Sequence, residues 1–298
     1  MALEHGIEVN FVREVIAARG LAAVRPDLAE WPWPVRVRTL GGLRIEIDGQ
    51  SLAFKGKVAK KPLELLLFVI ASSGVEVAAG AVAFALWREL EGDKAHAALT
   101  VALHRLRKLL GSDDAVLLEL GRLSLNPQRV WVDCLAFEQL ADSVGVPSLS
   151  APATALSPAV RAAAERAQAL YGGPFLHGSD DEAWQLVYRS RLASKFKRMV
   201  TLLAQAAAAR GDGAAARAML ERGLEFDPLA EDLVRDLMRE LIAAGEMAAA
   251  LTVFERCRLA IAQRLGAQPS PATLSLLTQA QAQAQAQAQT QTQGGLSA

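Results

Sequence analysis

Two twelve-residue strings in the second half of the chain, GDGAAARAMLER at 211–222 and GEMAAALTVFER at 245–256, align without a gap at an offset of 34 positions. Gly211 matches Gly245, Ala214 to Ala216 match Ala248 to Ala250, and Glu221 and Arg222 match Glu255 and Arg256. Leu220 and Phe254 agree in kind. A period of this length accommodates two antiparallel helices and their turns. Alanine at fixed places lets paired helices approach closely, and glycine at the turn permits the reversal. Pro228, after Asp227, suits the opening of the next helix. The second half is therefore constrained to a stack of short helices. The period is the tetratricopeptide spacing, and such arrays present a concave surface to a peptide or another subunit rather than catalysing.

The first half follows a different rhythm. Val35, Val37 and Thr39 alternate with Arg36 and Arg38, and Leu43, Ile45 and Ile47 alternate with Arg44, Glu46 and Asp48. Gly41-Gly42 and Asp48-Gly49 punctuate them, which predicts a small antiparallel sheet with a third short strand over 51–54. Helical spacing then takes over. Leu63, Leu66, Leu67 and Ile70 form one stripe ended by Gly74, a second helix covers Gly80–Trp87, and a third runs from about Asp93 to Leu110. Val116–Leu120 and Arg122–Leu125 flank Gly121 as a hairpin. Sheet, three helices and hairpin make a winged helix.

The third helix carries the informative face. Ala95, Leu99, Leu103, Leu106 and Leu110 share one side, which is core. Lys94, Ala97, Val101, His104, Arg105 and Lys108 share the other, with Thr100 and Arg107 on the flanks, and no acid follows Asp93 within the helix. Lys and Arg take phosphates or guanine edges, His and Thr hydrogen-bond, and Ala or Val meets a thymine methyl, so this face fits a major groove. Arg122 and Arg129, beside the hairpin, are candidates for the phosphate backbone. Lys55, Lys57, Lys60 and Lys61 form a second basic cluster, equally readable as a solvated loop.

Charge agrees in position more than in amount. The 298 residues hold 32 Lys+Arg and 32 Asp+Glu, which excludes a uniformly basic or acidic chain. Residues 35–132 nevertheless hold 14 basic against 10 acidic side chains. Two cysteines, Cys134 and Cys257, exclude a disulfide scaffold and read as buried thiols. No signal peptide or 18-residue apolar run appears, so the chain reads as cytoplasmic with no membrane partner. No phosphate loop appears, and His5, His96, His104 and His177 do not pair at metal-ligand spacing. No cofactor, metal or catalytic group is therefore assigned, and the chain reads as a non-enzyme. HGSDD at 177–181 reads as a helix start, capped by Ser179 or Asp180 with Asp181 and Glu182 in the first turn, rather than as a hydrolase centre on His177.

Several strings resemble a known family. LHRLRKLLG at 103–111 looks like the recognition helix of OmpR-type winged helices. VRVRTLGGLRIEIDG at 35–49, KPLELLLFVI at 61–70, LW at 86–87 and VWVD at 130–133 resemble the DNA-binding half of the bacterial antibiotic-regulatory-protein activators. LYGGPFL at 170–176, Trp184, Arg189–Leu192, DPLAED at 227–232, TVFERC at 252–257 and RLGAQPSPAT at 264–273 resemble the bacterial transcriptional activator domain that follows it. GRLSLN at 121–126 departs from the usual Gly-x-Gly-Tyr wing, Arg88 stands where proline is common, and Phe254 replaces a Tyr. The resemblance implies an activator that binds promoter direct repeats as a side-by-side homodimer and contacts RNA polymerase.

The predicted architecture is an α+β N-terminal winged helix followed by an all-α tetratricopeptide-like domain. Its parts are a leader over 1–34, an OmpR-type DNA-binding domain over 35–132, an activator domain over 133–277 and a disordered Gln/Ala tail over 278–298. The leader holds a short helix over 7–20 with Ile7, Phe11, Val15 and Ile16 near helical spacing, then the stiff Trp31-Pro32-Trp33-Pro34 junction. It resembles the junction that precedes this activator module in larger, multi-domain regulators, which implies either the effector part of such an architecture, with its sensory input elsewhere, or a stand-alone regulator with a short leader. Residues 143–160 read as a linker. The DNA-binding set is Lys94, Ala97, Thr100, Val101, His104, Arg105, Arg107, Lys108 and Arg122, with double-stranded DNA as partner. The alternative is a tetratricopeptide-type protein–protein adapter that binds no DNA.

Overall fold

The computed structural model describes residues 2–3, 6–21, 23, 25, 27–52, 60–145, 156–178 and 182–295, with side chains for all but Ala17, Ala284 and 286–295. Lys55, Lys57, His5, Ser179, Asp180, Asp181, residues 53–54 of the third predicted strand and residues 146–155 of the predicted linker lie outside this set. The chain divides into two compact units, 1–143 with 166–195, and 144–165 with 196–298.

The first unit opens with helix α1 (Val9–Arg19), closed by Gly20 in the left-handed region. Ile16 is buried, but Ile7 and Phe11 are exposed, so only part of the predicted stripe packs inward. Trp33 and Trp131 pack with Ala136, and Trp31 and Ala29 lie against that cluster. The Trp33 indole Nε1 donates to Leu28 O at 2.8 Å.

A four-stranded sheet runs in the order β3 (Gln50–Ser51), β2 (Arg44–Ile47), β1 (Val35–Arg38), β7 (Val130–Val132). Val35 and Val37 are fully buried while Arg36 and Arg38 lie near the Trp131 ring, at 6.0 and 5.8 Å, so the alternation sets the two faces. β1 and β2 are antiparallel, but β7 joins β1 in parallel, with Val35 opposite Val130. β1, β2 and β3 form the predicted antiparallel sheet, and β7 joins it in parallel as a strand that the alternation over 35–54 does not include. Helices and hairpin intervene between β1 and β7, and a parallel neighbour requires such a crossover.

Three helices fill the crossover: α2 (Lys60–Ala71), α3 (Ala79–Leu86) and α4 (Gly92–Leu109). α2 buries Leu65, Leu66, Leu67, Val69 and Ile70. A two-residue strand β4 (Val77–Ala78) stands before α3 and pairs with β6 (Arg122–Leu125), which pairs in turn with β5 (Val116–Glu119). β5 and β6 are joined by Leu120 and Gly121, both at positive φ, which is the two-residue turn that matches strand twist.

β7 leads directly into α5 (Asp133–Val144). The buried Asp133 carboxylate accepts from Thr39 N, Thr39 Oγ1, Leu40 N and Cys134 N, all within 3.0 Å. Burial pushes its pKa up, opposed by these hydrogen bonds. LYGGPFL completes the sheet edge: Leu40 bridges Phe175, and Leu176 N donates to Thr39 O at 2.8 Å. Gly41, at φ +89, leaves no room for a Cβ, which would stand 2.7 Å from Gly172 O.

The second unit contains α8 (Gly213–Phe226), α9 (Glu231–Ala243), α10 (Met247–Leu265) and α11 (Pro271–Gly295), following α6 (Pro158–Leu170) and α7 (Ala183–Ala208), parts of which belong to each unit. α8 and α10 start 34 positions apart, and Gly211 and Gly245 precede them at φ +79 and +78. Ala216 and Ala250 are fully buried, as the repeat requires. Gly223 stands where a Cβ would meet Leu233 Cδ1 at 2.7 Å and Val200 Cγ1 at 3.0 Å. The Gln/Ala segment predicted to be disordered is helical to Gly295. Ala and Gln are good helix formers, and no Gly or Pro interrupts them before Gly294. Composition that cannot build a core can still propagate a helix already begun at Pro271.

Candidate nucleic-acid interface

α4 is positioned from below. Ala95, Leu99, Ala102, Leu103 and Leu106 are buried, and Leu110 closes the seam with Gly111 at positive φ. Asp93 lies in the first turn and Arg107 and Lys108 in the last, which complements the helix dipole. The opposite face is open. Lys94, Ala97, Thr100, Val101, His104, Arg105 and Lys108 are all exposed, with Val101 at 50%.

Not every predicted side chain is equally available. Arg107 is half-buried and donates from Nε and Nη2 to the Val116 carbonyl, at 3.0 and 2.7 Å. It fastens the end of α4 to the first residue of the hairpin. Arg122 is exposed but donates from Nη1 to Glu76 O at 3.0 Å. Arg129 is paired with Asp114 at 2.9 Å, and hydrogen bonds from Ser112 and Arg129 hold the Asp114 carboxyl below its ordinary range. Lys94 meets Glu91 at 3.1 Å, both exposed, a pair of small energetic weight. Of the second basic cluster, Lys61 is bound to Glu64 and to Leu86 O and lies 5.8 Å from the Trp87 ring.

His96, one turn before Thr100 at the edge of the open face, is a further polar side chain there. It is exposed, its Nδ1 lies 3.0 Å from Gly92 O, and its own carbonyl accepts from the Thr100 hydroxyl at 3.0 Å. His96, Thr100 and His104 follow one another at four-residue spacing, a signal that was present in the sequence.

The remaining chemistry is structural. Cys134 and Cys257 are free and buried, and burial pushes both thiols up. Tyr188 donates to Glu138 at 2.9 Å, and Arg191 and Lys195 complete the carboxylate's shell at 2.8 and 3.0 Å. Among the described residues no group of His, Cys, Asp and Glu is arranged to hold a metal ion. No described helix is long and apolar enough to cross a membrane.

The described residues thus form a mixed α/β region that presents a cationic helix and, after it, an all-helical region. Residues 132–281 match the family described as bacterial transcriptional activator domain. The chain belongs to that family. Among solved structures it resembles Mycobacterium tuberculosis EmbR in complex with a low-affinity phosphopeptide, at 23% identity and a TM-score of 0.61. The match covers 84% of this chain and 65% of that one, so this chain spans less than two thirds of the chain it matches, and the likeness is one of fold. No curated protein matches the chain.

Proposed function

We propose that the chain activates transcription by binding promoter DNA through α4. In this reading residues 35–132 are an OmpR-type winged-helix domain with β5–β6 as the wing. Residues 133–277 are the activator domain with tetratricopeptide-like helices, and 1–34 are a leader or junction. The observation that carries it is the open face of α4, where seven of the predicted residues are exposed together and no carboxylate intrudes after Asp93. Lys94, Arg105 and Lys108 would meet phosphates or guanine edges, and Ala97, Thr100, Val101 and His104 would read bases. Arg107 serves the face by positioning, with Nε and Nη2 both directed to Val116 O. Homodimerisation on direct repeats, contact with RNA polymerase and residence in the cytoplasm follow from the family and complete the proposal.

The test is binding of the full chain to duplexes selected from a random library, titrated with salt. Sequence-selective binding whose logarithm falls linearly with log salt is the expected result. The adapter reading draws support from the engagement of Arg107, Arg122 and Arg129 with internal acceptors, which thins the phosphate-contact set. It requires that no salt-sensitive duplex binding occurs.

A further inference from the structure

A cavity of about 580 Å³ lies within the first unit, beside the cluster of Trp33, Trp131 and Ala136. Its volume falls in the range of small-molecule sites, about 300–1,000 Å³. Leu125, Val130, Trp131 and Leu135 give it apolar walls, and Val75, exposed at 64%, borders it. Leu125 ends β6 and Val130 begins β7, whereas Leu135 lies on α5 and Arg191 and Lys195 on α7. A guest would therefore touch both the α/β region and helices of the matched family domain.

Two features limit what the cavity can hold. The ionic groups around it pair with one another: Glu138 meets Arg191 and Lys195 at 2.8 and 3.0 Å, and Asp142 meets Lys195 at 2.7 Å. Two cations face two carboxylates, so a charged guest finds no net countercharge to offset its lost hydration. Trp131 is 2% exposed, and its indole Nε1 finds no acceptor among the described residues. Buried donors are normally paired, and one left unpaired is destabilising until an acceptor reaches it. We propose that the cavity binds a neutral, mainly apolar small molecule that presents one carbonyl oxygen to the Trp131 indole. The proposal goes beyond the DNA-binding reading and does not depend on it.

The test titrates the full chain with three probes of one shape, 2-naphthamide, 2-naphthoate and 2-naphthylmethylammonium, by isothermal calorimetry and ligand-detected NMR. 2-Naphthamide should bind one to one, and the anion and the cation at least about tenfold more weakly. Leu135→Trp, which fills the cavity from a half-buried position, should abolish that binding while thermal stability is kept or raised. Should that variant fail to fold, Val75→Asp changes an exposed position instead, and it should weaken 2-naphthamide and strengthen the cation. Trp131→Phe keeps a ring and removes the donor, so it should weaken 2-naphthamide about fivefold and leave the binding of naphthalene itself unchanged. Equal binding of the three probes, no binding of 2-naphthamide, or binding that survives the folded Leu135→Trp or Val75→Asp variant unaltered would overturn the site. Undiminished 2-naphthamide binding in Trp131→Phe would overturn the indole–carbonyl contact.

Discussion

Arg107 donates two hydrogen bonds to the carbonyl of Val116, so one side chain joins the last turn of the cationic helix to the root of the hairpin. Hydrogen bonds from a charged donor contribute about 1.5–3 kcal/mol each at most, less where half-exposed. Replacing Arg107 with Met keeps the aliphatic stem and removes both. We expect a loss of about 1–2 kcal/mol in urea unfolding. Duplex binding should weaken while the slope against log salt stays the same, because in this reading Arg107 positions the helix rather than neutralising a phosphate.

Lys108 gives the contrasting result. It is exposed, one residue on, with no internal partner in the described structure. Lys108→Ala should weaken binding to all duplexes alike and lower the magnitude of the salt slope by about 0.9. An unchanged slope would remove it from the phosphate contacts.

His104 tests readout rather than affinity. His104→Ala should relax preference at one base position by roughly 1–3 kcal/mol of discrimination, measured by competition between single-substituted duplexes. An unaltered preference removes His104 from the reading set.

Gly41 tests the sheet edge. Its φ of +89 and the 2.7 Å clearance to Gly172 O leave a methyl group facing backbone, which cannot rotate away. Gly41→Ala should destabilise the first unit by about 2 kcal/mol or more, whereas Gly49→Ala, with open space around it and φ +79, should carry the conformational strain alone. Differential thermal unfolding of the two variants measures the difference.

Glu231 tests pH dependence. Desolvation raises its pKa, but hydrogen bonds from Ser270 and Thr273, with Arg235 nearby, outweigh it and hold the carboxyl below 4.5. Unfolded, the group protonates near its ordinary value; folded, it stays ionised to lower pH. Its contribution is therefore present above pH 4.5 and lost as pH falls through the folded value. The stability gap between the unaltered chain and Glu231→Gln should be constant from about pH 7 to about pH 5 and shrink below that in urea titrations. A gap that does not narrow in acid would show that the hydrogen bonds do not favour the ionised form.

Much of this was legible before any coordinates. Alternation over 35–47 set the strand faces, because a pleated strand turns successive side chains to opposite sides. The leucine seam of α4 fixed its outward face by helical period, and the 34-residue offset placed α8 and α10.

Local pattern determined elements and their faces, since those depend on neighbours a few residues away. Tertiary structure alone decided the pairings across long separations. β7 beside β1, Asp133 holding Thr39 and Leu40, Phe175 bridged to Leu40, and the arginines drawn to Val116, Glu76 and Asp114 all join segments brought together by packing. Periodicity reports which side of an element is apolar; it carries no term for which distant carbonyl or carboxylate will meet a donor, and that choice settles which cations remain for a partner.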